Sequence, residues 1–485
     1  MINTKLIFRI LGALLNIEAA FMFLCLVVSL CCQEGDMVPL AITFGVTVAV
    51  SLLFILLGRG ASNTLSRRDA YLLVSLVWIA FAAFGSLPFL LGGYIDNVSD
   101  AFFETMSGLT TTGATTIDHV EGMPHGVLLW RSLTQWIGGL GIVFFTIAIL
   151  PSFVGGSVKI FAAEATGPVQ SKLQPRLTMS AKALWGVYLV LTAACALCFF
   201  LFGMGPFDAI NYAMTVTATG GFATHDASTG YFNNAAIDYT AIVFMFLSGI
   251  SFAMLYAAMF RGKIKNLFRN AEFRFYLALT LAATAIIVAF LLRYNDYSVA
   301  DAIRYALFQV VSFITTTGMF NEDAAQWHHI TWVVLSVCMF FGGCAGSTAG
   351  GFKCARGVIA FKILRNEILH RLHPKAILPV KVNGSTVHSS GQITLMAFLM
   401  VYFVLCLTAY FIMILVGVDS TNSFTIALSC ASNVGPTLGL EIGPTMSWSV
   451  LPMFVKWILS ALMLMGRLEI FTVLVIFTPA FWKNN

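Results

Sequence analysis

Charged side chains are scarce in this chain of 485 residues. Asp, Glu, Lys and Arg make up 10% of it and 59% of its residues are hydrophobic, whereas a soluble globular domain has about 25% charged residues. The composition therefore excludes an ordinary soluble domain and predicts an integral membrane protein. The net charge of +5 does not indicate a nucleic-acid partner, because the basic residues lie between apolar runs and not on one clustered face.

Catalytic and metal-binding motifs are also missing. No Ser-His-Asp set, HExxH motif or dinucleotide fingerprint occurs in a usable context, so we predict no enzyme activity and no cofactor on this chain. Cys195 and Cys198 form a C-x-x-C pair inside an apolar run, without the further ligands of a metal site. The glycine-rich stretch before Lys353 is not a phosphate loop, because Phe352 separates its last glycine from the lysine.

Long apolar runs are abundant. A run of about twenty apolar residues crosses a bilayer as a helix, and the continuity of these runs excludes a barrel, whose strands alternate. No cleavage site follows the first run, so it is predicted to be a membrane helix and not a signal peptide. The ten predicted spans are 8–30, 38–58, 70–94, 126–151, 183–204, 238–260, 274–293, 330–350, 394–417 and 448–480.

Basic residues lie on alternate connections between these spans. They are concentrated at 59–68, 159–182, 261–274 and 356–381, whereas the opposite connections are acidic. The positive-inside rule places the basic connections in the cytoplasm, and with ten spans it places both termini there as well.

One short pattern occurs four times. It reads Thr-Thr-Thr-Gly at 110–113, Thr-Ala-Thr-Gly at 217–220, Thr-Thr-Thr-Gly at 315–318 and, in weaker form, Ser-Asn-Val-Gly at 432–435; we call these segments 1 to 4. Each follows a stretch with a capping Asp or Ser, which predicts a short helix that reaches about half way across the bilayer. Two spans flank each segment. The sequence therefore predicts four re-entrant loops.

Four such loops in one chain predict a cation pore. Non-helical backbone at membrane depth must be buried in protein or line water, so the loops are expected to share a central cavity. A half-helix whose C-terminus points inward brings the negative end of its dipole to that cavity. Glycines let carbonyl oxygens face one axis, and threonines add hydroxyl oxygens. The segments contain no Asp or Glu, which favours a monovalent over a divalent cation. A polar surface turn would explain one copy of the pattern but not four.

Two further features lie in apolar runs. The five glycines of Gly342–Gly351 cost a helix roughly 1 kcal/mol each relative to alanine, which predicts a break in the span; close helix packing through small residues is the alternative. Arg467 lies in the last run, where inserting a charge costs roughly 2.5 to 3.5 kcal/mol, so it is expected to face protein or water. Glu469 lies on a different helix face and is not its natural partner.

These features resemble the superfamily of Trk, Ktr and HKT potassium transporters, most closely its bacterial Trk branch. The resemblance rests on the four segment glycines, on Gly342–Gly351 with Lys353, and on Gly466–Glu469. It implies an all-α membrane protein in which four helix, pore loop, helix repeats surround a central cation pore with pseudo-fourfold symmetry. The implied units are two additional N-terminal helices at 1–69 and pore repeats at 70–160, 161–272, 273–392, which carries the gating loop, and 393–485.

The resemblance also implies potassium uptake across a bacterial inner membrane, through a selectivity filter and an intramembrane gate. Gly113, where sodium-preferring members have serine, favours potassium, with rubidium a candidate and sodium less favoured. The implied ion-binding residues are Thr110, Thr111, Thr112, Gly113, Thr217, Ala218, Thr219, Gly220, Thr315, Thr316, Thr317, Gly318, Ser432, Asn433, Val434 and Gly435. The implied gate residues are Gly342, Gly343, Gly346, Ser347, Thr348, Gly350, Gly351, Lys353 and Arg467. We expect Arg467 to lie against the gate and to raise its barrier to cations.

The implied assembly is a homodimer in the lipid bilayer. A cytosolic ring of nucleotide-binding regulatory subunits of the TrkA type, responsive to ATP, ADP and NADH, is the implied partner. Two other functions stay open. One is symport of potassium with protons or sodium, against which the lack of an intramembrane Asp or Glu chain counts. The other is an ion-sensing membrane scaffold.

Overall fold

The protein is built almost entirely from helices. The computed structural model describes residues 2–62, 64–141 and 177–483, without the side chains of 177–181. Its helices are α1 (Thr4–Cys32), α2 (Met37–Leu57), α3 (Arg67–Gly85), α4 (Leu87–Leu91), α5 (Val98–Leu109), α6 (His125–Gly139), α7 (Leu177–Leu201), α8 (Pro206–Thr217), α9 (Ala235–Ser248), α10 (Phe252–Arg261), α11 (Ile264–Arg269), α12 (Ala271–Tyr294), α13 (Val299–Ile314), α14 (His329–Phe341), α15 (Cys354–Leu372), α16 (Ser389–Leu415), α17 (Ser420–Ser432), α18 (Met453–Arg467), α19 (Ile470–Leu474) and α20 (Pro479–Trp482). Short 3-10 turns occupy Ser228–Phe232, Ala324–Gln326 and Val475–Phe477. Strands β1 (Lys381–Val382) and β2 (Ser385–Thr386) form an antiparallel hairpin in which Lys381 pairs with Thr386.

Six stretches in the described residues are long and apolar enough to cross a membrane, and two bent helix pairs raise the number to eight. The pairs are α9 with α10, which meet at 103°, and α18 with α19, which meet at 117°. The run at 238–260, which was predicted as one span, is therefore broken into two helices. The helix stops before Gly249, where a β-carbon would lie 2.6 Å from the hydroxyl of Tyr276 and 2.8 Å from Thr315. The last predicted span, 448–480, is longer than a straight crossing of the bilayer requires, and it is bent between α18 and α19.

The two remaining predicted spans have different outcomes. In the span at 126–151, α6 ends at Gly139, and residues 142–151 lie outside the described residues, as do Lys159, Lys172, Arg176 and the boundary between 160 and 161. In the span at 330–350, α14 ends at Phe341, Gly342 has φ +67°, and the chain becomes helical again at Cys354. The predicted break is confirmed, and the glycines form a loop and not a packed helix.

Four short helices precede the Thr-Gly segments. They are α5, α8, α13 and α17, with 12, 12, 16 and 13 residues. The predicted caps are wrong by a few positions, because Asp100, Asp208 and Asp301 lie in the first helical turn. There they still favour the positive end of the helix dipole. The residues at the N-cap positions are Asn97, Gly205, Ser298 and Asp419.

After each segment the chain runs back along its own short helix. A side chain or backbone group on the returning stretch is hydrogen-bonded to that helix in all four cases. These bonds join Thr116 N–H to the Glu104 carboxylate at 2.8 Å, the Thr224 hydroxyl to the Asp208 carboxylate at 2.7 Å, the Gln309 amide to the Glu322 carbonyl at 3.0 Å and the Asn422 amide to the Ile442 carbonyl at 2.7 Å. The four loops are therefore re-entrant, as predicted.

Buried ion pairs hold the first short helix in place. Arg131 of α6 donates to Glu104 of α5 at 2.7 Å, with both side chains almost fully buried. Its guanidinium also donates to the Ala223 carbonyl at 3.0 Å and lies 3.6 Å from the centre of the Phe222 ring. Arg131 thus ties segment 1's helix to the stretch that follows segment 2, and removing either charge would leave the other buried and unpaired.

The two ends of the molecule differ in chemistry. At one end, the backbone N–H of Asn3 donates to Asp69 at 3.0 Å and Arg68 donates to the Lys483 carbonyl at 2.7 Å, so residues near both chain ends meet the first turn of α3. At the start of α6, Val127 donates its N–H to Asp36 at 3.0 Å in the acidic connection between α1 and α2.

Candidate ion filter and gate

The four Thr-Gly segments share one backbone conformation. After the end of each short helix, one backbone N–H donates to the helix carbonyl five residues earlier in the chain, at 2.8–3.0 Å; the donors are Thr112, Gly220, Thr317 and Val434. The residue before each donor has a left-handed backbone with φ between 54° and 56°; these residues are Thr111, Thr219, Thr316 and Asn433. The residue after each donor is a glycine with φ between 76° and 101°; these are Gly113, Gly221, Gly318 and Gly435.

This common conformation moves segment 2 by one residue. Its left-handed glycine is Gly221 and not the predicted Gly220, while Thr217 is the last residue of α8. Segment 2 is therefore Ala218–Gly221. Because Gly220 and Gly221 are adjacent, the sequence does not show which of them corresponds to the glycine of the other segments. The end of α8 decides this in the structure. The other three segments keep their predicted bounds.

The four segments contact one another in a closed ring. A β-carbon placed on each left-handed glycine would strike a carbonyl oxygen of the next segment, in chain order, and the fourth segment closes onto the first. The distances are 2.1 Å from Gly113 to Gly220, 2.0 Å from Gly221 to Thr317, 2.1 Å from Gly318 to Val434 and 2.3 Å from Gly435 to Thr112. No side chain fits at these distances unless the carbonyl moves. Glycine is thus required both by its φ and by the approach of the neighbouring carbonyl.

A small cavity opens on the ring. It has a volume of about 90 Å³ and is lined by the four left-handed glycines together with Asp118 and Asp226. Hydrogen bonds from the Ser447 and Ser449 hydroxyls lower the pKa of Asp118, which favours its ionised form. Arg131 also lines the cavity but is paired with Glu104, so the two aspartates leave an excess of negative charge there, which suits a cation.

Threonine hydroxyls stiffen segments 1 and 3. Thr110 donates to the Met106 carbonyl at 2.7 Å, and its hydroxyl lies 2.8 Å from that of Thr112. Thr315 and Thr317 repeat the arrangement, again with 2.8 Å between the hydroxyls. These hydroxyls build the wall of the ring and brace its backbone.

Segment 4 is braced from other parts of the chain. The hydroxyl of Ser432 lies 2.7 Å from that of Tyr402 on α16. The Asn433 amide donates to the Thr112 hydroxyl at 3.0 Å and to the Met463 carbonyl at 2.9 Å. The residues that make segment 4 look weakest in sequence thus tie it to segment 1 and to two membrane helices.

The stretch Gly342–Gly351, which we call the glycine loop, lies against the ends of the short helices. Gly350 N–H donates to the Thr316 hydroxyl at 2.6 Å, and Gly351 N–H donates to the Ser432 carbonyl at 2.8 Å. The Thr348 hydroxyl donates to the Thr217 carbonyl at 3.1 Å. The loop thus contacts segments 3 and 4 and the helix that leads into segment 2.

Arg467 connects the loop to the remaining segment. Its guanidinium donates to the Thr348 carbonyl at 2.8 Å and to the Gly138 and Gly139 carbonyls at 2.6 Å each. Gly138 packs directly on Leu109, the last residue of α5. Loop and arginine together therefore reach all four short helices from the side opposite the cavity.

The other predicted gate residues lie farther from the ring. Lys353 is buried and donates to the Ala349 carbonyl within the loop. Gly343 faces Gly249, at the break between α9 and α10. Gly346 is exposed and Ser347 is half-buried, with its hydroxyl bonded to the Cys344 carbonyl at 2.6 Å.

Several residues that contact this site were not predicted. Gln135 donates to a ring carbonyl, and Glu272 accepts N–H groups from Ala345 in the loop and Ala355 just after it. Arg356 pairs with Glu469, in agreement with the expectation that Glu469 does not partner Arg467. A polar side chain inside an apolar run was the only sequence signal for Gln135.

A closed ring of carbonyls at the ends of four re-entrant helices defines a membrane protein of the cation-transporting class. The chain belongs to the TrkH family of cation transport proteins, whose family model matches residues 40–484. Two relatives carry the name Trk system potassium uptake protein TrkH: that of Halomonas elongata is 38% identical over 99% of this chain and 100% of its own, and that of Escherichia coli K12 is 36% identical over 99% of both.

A solved structure agrees with this placement. The crystal structure of the potassium transporter TrkH from Vibrio parahaemolyticus matches with a TM-score of 0.89 at 36% sequence identity, over 99% of each chain. The chain is thus a multi-pass membrane protein of a family of transporters and not of an enzyme family.

The assignment of segment 2 can be tested with three glycine variants. Gly113→Ala and Gly221→Ala place a β-carbon about 2 Å from a carbonyl and force a side chain into a left-handed backbone, so each should lower rubidium uptake into proteoliposomes at least about tenfold. Gly220→Ala keeps an ordinary φ but overlaps the Gln135 amide, so it should lower rubidium uptake less than either of the other two changes. A larger loss in Gly220→Ala than in Gly221→Ala would contradict the assignment.

Proposed function

We propose that this chain conducts potassium inward across a bacterial inner membrane through the ring of segments 1 to 4. The observation that carries the proposal is the closed ring of four main-chain carbonyls, from Thr112, Gly220, Thr317 and Val434, each approaching the glycine of the preceding segment. Neutral oxygens arranged in this way replace the water shell of a monovalent cation. The membrane potential supplies about 2.3 kcal/mol per charge per 100 mV.

Residues next to these four carbonyls complete the proposed filter. Positions 110–113, 218–221, 315–318 and 432–435 surround the ion, and Thr217 belongs to the helix that leads into it. The units 70–160, 161–272, 273–392 and 393–485 are the proposed pore repeats around this axis, after two additional helices within 1–69. Cyclic contact between the segments supports pseudo-fourfold symmetry, and the names of the relatives support potassium over sodium, with rubidium as a substitute ion.

The glycine loop with Arg467 is the proposed gate. It lies across the ends of the short helices, on the side opposite the cavity, so an ion that leaves the ring inward must displace it. Lys353, Arg356 and Arg467 add positive charge there, which Glu272 and Glu469 only partly compensate. In the closed state these cations raise the barrier to a positive ion. Opening requires the loop to release its bonds to segments 3 and 4.

The proposed setting has both termini in the cytoplasm. Residues near both chain ends meet the first turn of α3, which begins with Arg67 and Arg68, and this fits the positive-inside rule. The word "system" in the relatives' names fits a chain that works with other subunits. We assign that role to a cytosolic TrkA-type ring that binds ATP, ADP or NADH, and we assign a homodimer to the membrane part.

One observation favours a second candidate, symport coupled to protons. Glu18 of α1 is fully buried, and both oxygens of its carboxyl group lack a hydrogen-bond partner among the described residues. A lone carboxyl inside a membrane protein is a candidate proton site. It belongs to the two N-terminal helices and not to the pore repeats, so channel-like conduction is the preferred function.

Ion-replacement measurements on reconstituted protein test the function. With potassium on one side and sodium on the other, the reversal potential should follow the potassium gradient and should not move when a proton gradient is added. Gly113→Ser should shift it toward the sodium gradient, because the hydroxymethyl group displaces the Gly220 carbonyl. No potassium or rubidium current in folded protein would exclude both transport functions and favour a scaffold, and a shift with pH would favour symport.

The proposed gate is tested by removing the Arg467 guanidinium. Arg467→Ala loses three bonds to main-chain carbonyls and one positive charge, and it should raise basal potassium flux by about tenfold or more. Arg467→Lys keeps the positive charge but loses the planar guanidinium that bonds several carbonyls at once. Its basal potassium flux should lie between those of the wild type and Arg467→Ala. The ion preference should stay the same in both variants. An unchanged flux in well-folded Arg467→Ala protein would contradict the proposed gate.

A further inference from the structure

Segment 2 lacks the internal brace that segments 1 and 3 have. In those two segments a pair of threonine hydroxyls lies 2.8 Å apart, at the first and third positions. The corresponding residues of segment 2 are Ala218 and Gly220, which have no hydroxyl. Its only hydroxyl, on Thr219, donates to the Ala218 carbonyl at 2.7 Å. The carbonyl of Gly220 must therefore be oriented by something outside the segment.

Gln135 on α6 supplies that contact. Its side chain is fully buried. The amide nitrogen donates to the Gly220 carbonyl at 2.7 Å, and the amide oxygen accepts the N–H of Phe222 at 3.0 Å. One side-chain amide thus holds the residues on both sides of Gly221. The contact needs a glycine at position 220, because a β-carbon there would lie 2.4 Å from Cδ of Gln135.

This bond makes one arm of the ring chemically different. Among the described residues, the carbonyls of Thr112, Thr317 and Val434 accept no side-chain hydrogen bond, whereas the carbonyl of Gly220 accepts the Gln135 amide. An amide donor on a carbonyl fixes its direction and shares its lone pairs. The electrostatic field that segment 2 exerts on an ion depends both on the direction of this carbonyl and on the sharing of its lone pairs.

We propose that Gln135 is a specificity-determining positioning residue of the filter. Its amide replaces the missing hydroxyl pair of segment 2, holds the Gly220 carbonyl at the distance from Gly113 that closes the ring, and thereby contributes to the discrimination of potassium from sodium. The proposal rests on the proposed function of the ring as a potassium filter. It concerns selectivity and not the total amount of folded protein.

The first test removes the amide without changing the shape of the side chain. Gln135→Met should lower the potassium-to-sodium permeability ratio, measured from reversal potentials in proteoliposomes, by about five- to tenfold. Gln135→Glu keeps the acceptor for Phe222 but loses the donor to Gly220, and it should lower the ratio as well. The matched control is Gln392→Met, because the Gln392 amide also donates to a main-chain carbonyl outside the ring, that of Val387 at 2.9 Å, at the start of α16.

The second test rebuilds the missing hydroxyl pair. Ala218→Thr combined with Gly220→Thr gives segment 2 the threonines of segments 1 and 3. In a Gln135→Ala background, which makes room for them, these changes should restore the permeability ratio to within about twofold of the wild type. With Gln135 intact, the same two changes should lower flux, since the new β-carbon at 220 overlaps the amide.

The outcomes separate the inference from the proposed function. Wild-type protein without potassium or rubidium flux would overturn both. Normal wild-type selectivity with an unchanged ratio in Gln135→Met and Gln135→Glu would overturn the inference alone, as would an equal loss in Gln392→Met. A lowered ratio that the two threonines fail to restore would overturn the claim that the amide replaces the hydroxyl pair.

Discussion

The architecture depends on the approach of one carbonyl oxygen to one glycine, repeated around a ring. At four positions in the chain a β-carbon would lie about 2 Å from a carbonyl, so no side chain fits there unless that carbonyl moves. Holding four separate backbones this close requires rigid supports, and the re-entrant helices provide them. Each helix is tied to its returning chain by hydrogen bonds, and buried charges such as Arg131 with Glu104 tie it to its neighbour.

The supports of the ring are unequal although its backbone is nearly regular. Segments 1 and 3 brace themselves with paired threonine hydroxyls. Segments 2 and 4 depend on contacts with other parts of the chain. Gln135 bonds to segment 2, and Tyr402 bonds to segment 4, whose own Asn433 bonds to segment 1. The contacts of the proposed gate with the four segments are also unequal. The glycine loop belongs to one proposed repeat, and only through Arg467 does it reach the helix of segment 1. Symmetry of the backbone therefore does not imply symmetry of the forces on an ion.

Much of this was predictable from the sequence because strong local signals carry it. Long apolar runs, four Thr-Gly segments and the glycine-rich break in the eighth span each follow from composition and spacing. The shift of segment 2 was not predictable, because Gly220 and Gly221 are adjacent and only the end of α8 shows which of them is left-handed. The bend at Gly249 was missed because its cause is tertiary, the close approach of Tyr276 and Thr315. The role of Gln135 depends on a contact across 85 residues, which no local pattern encodes.

The most direct measurement is the position of the ion itself. Crystals of the protein grown in rubidium, with data collected at the rubidium absorption edge, should show an anomalous peak on the axis between the carbonyls of Thr112, Gly220, Thr317 and Val434. The peak should disappear in Gly221→Ala, because that β-carbon would displace the Thr317 carbonyl. Anomalous density only outside the ring, or a wild-type peak that is coordinated by Thr217 or by the side chains of the cavity instead, would contradict a filter built from these four carbonyls.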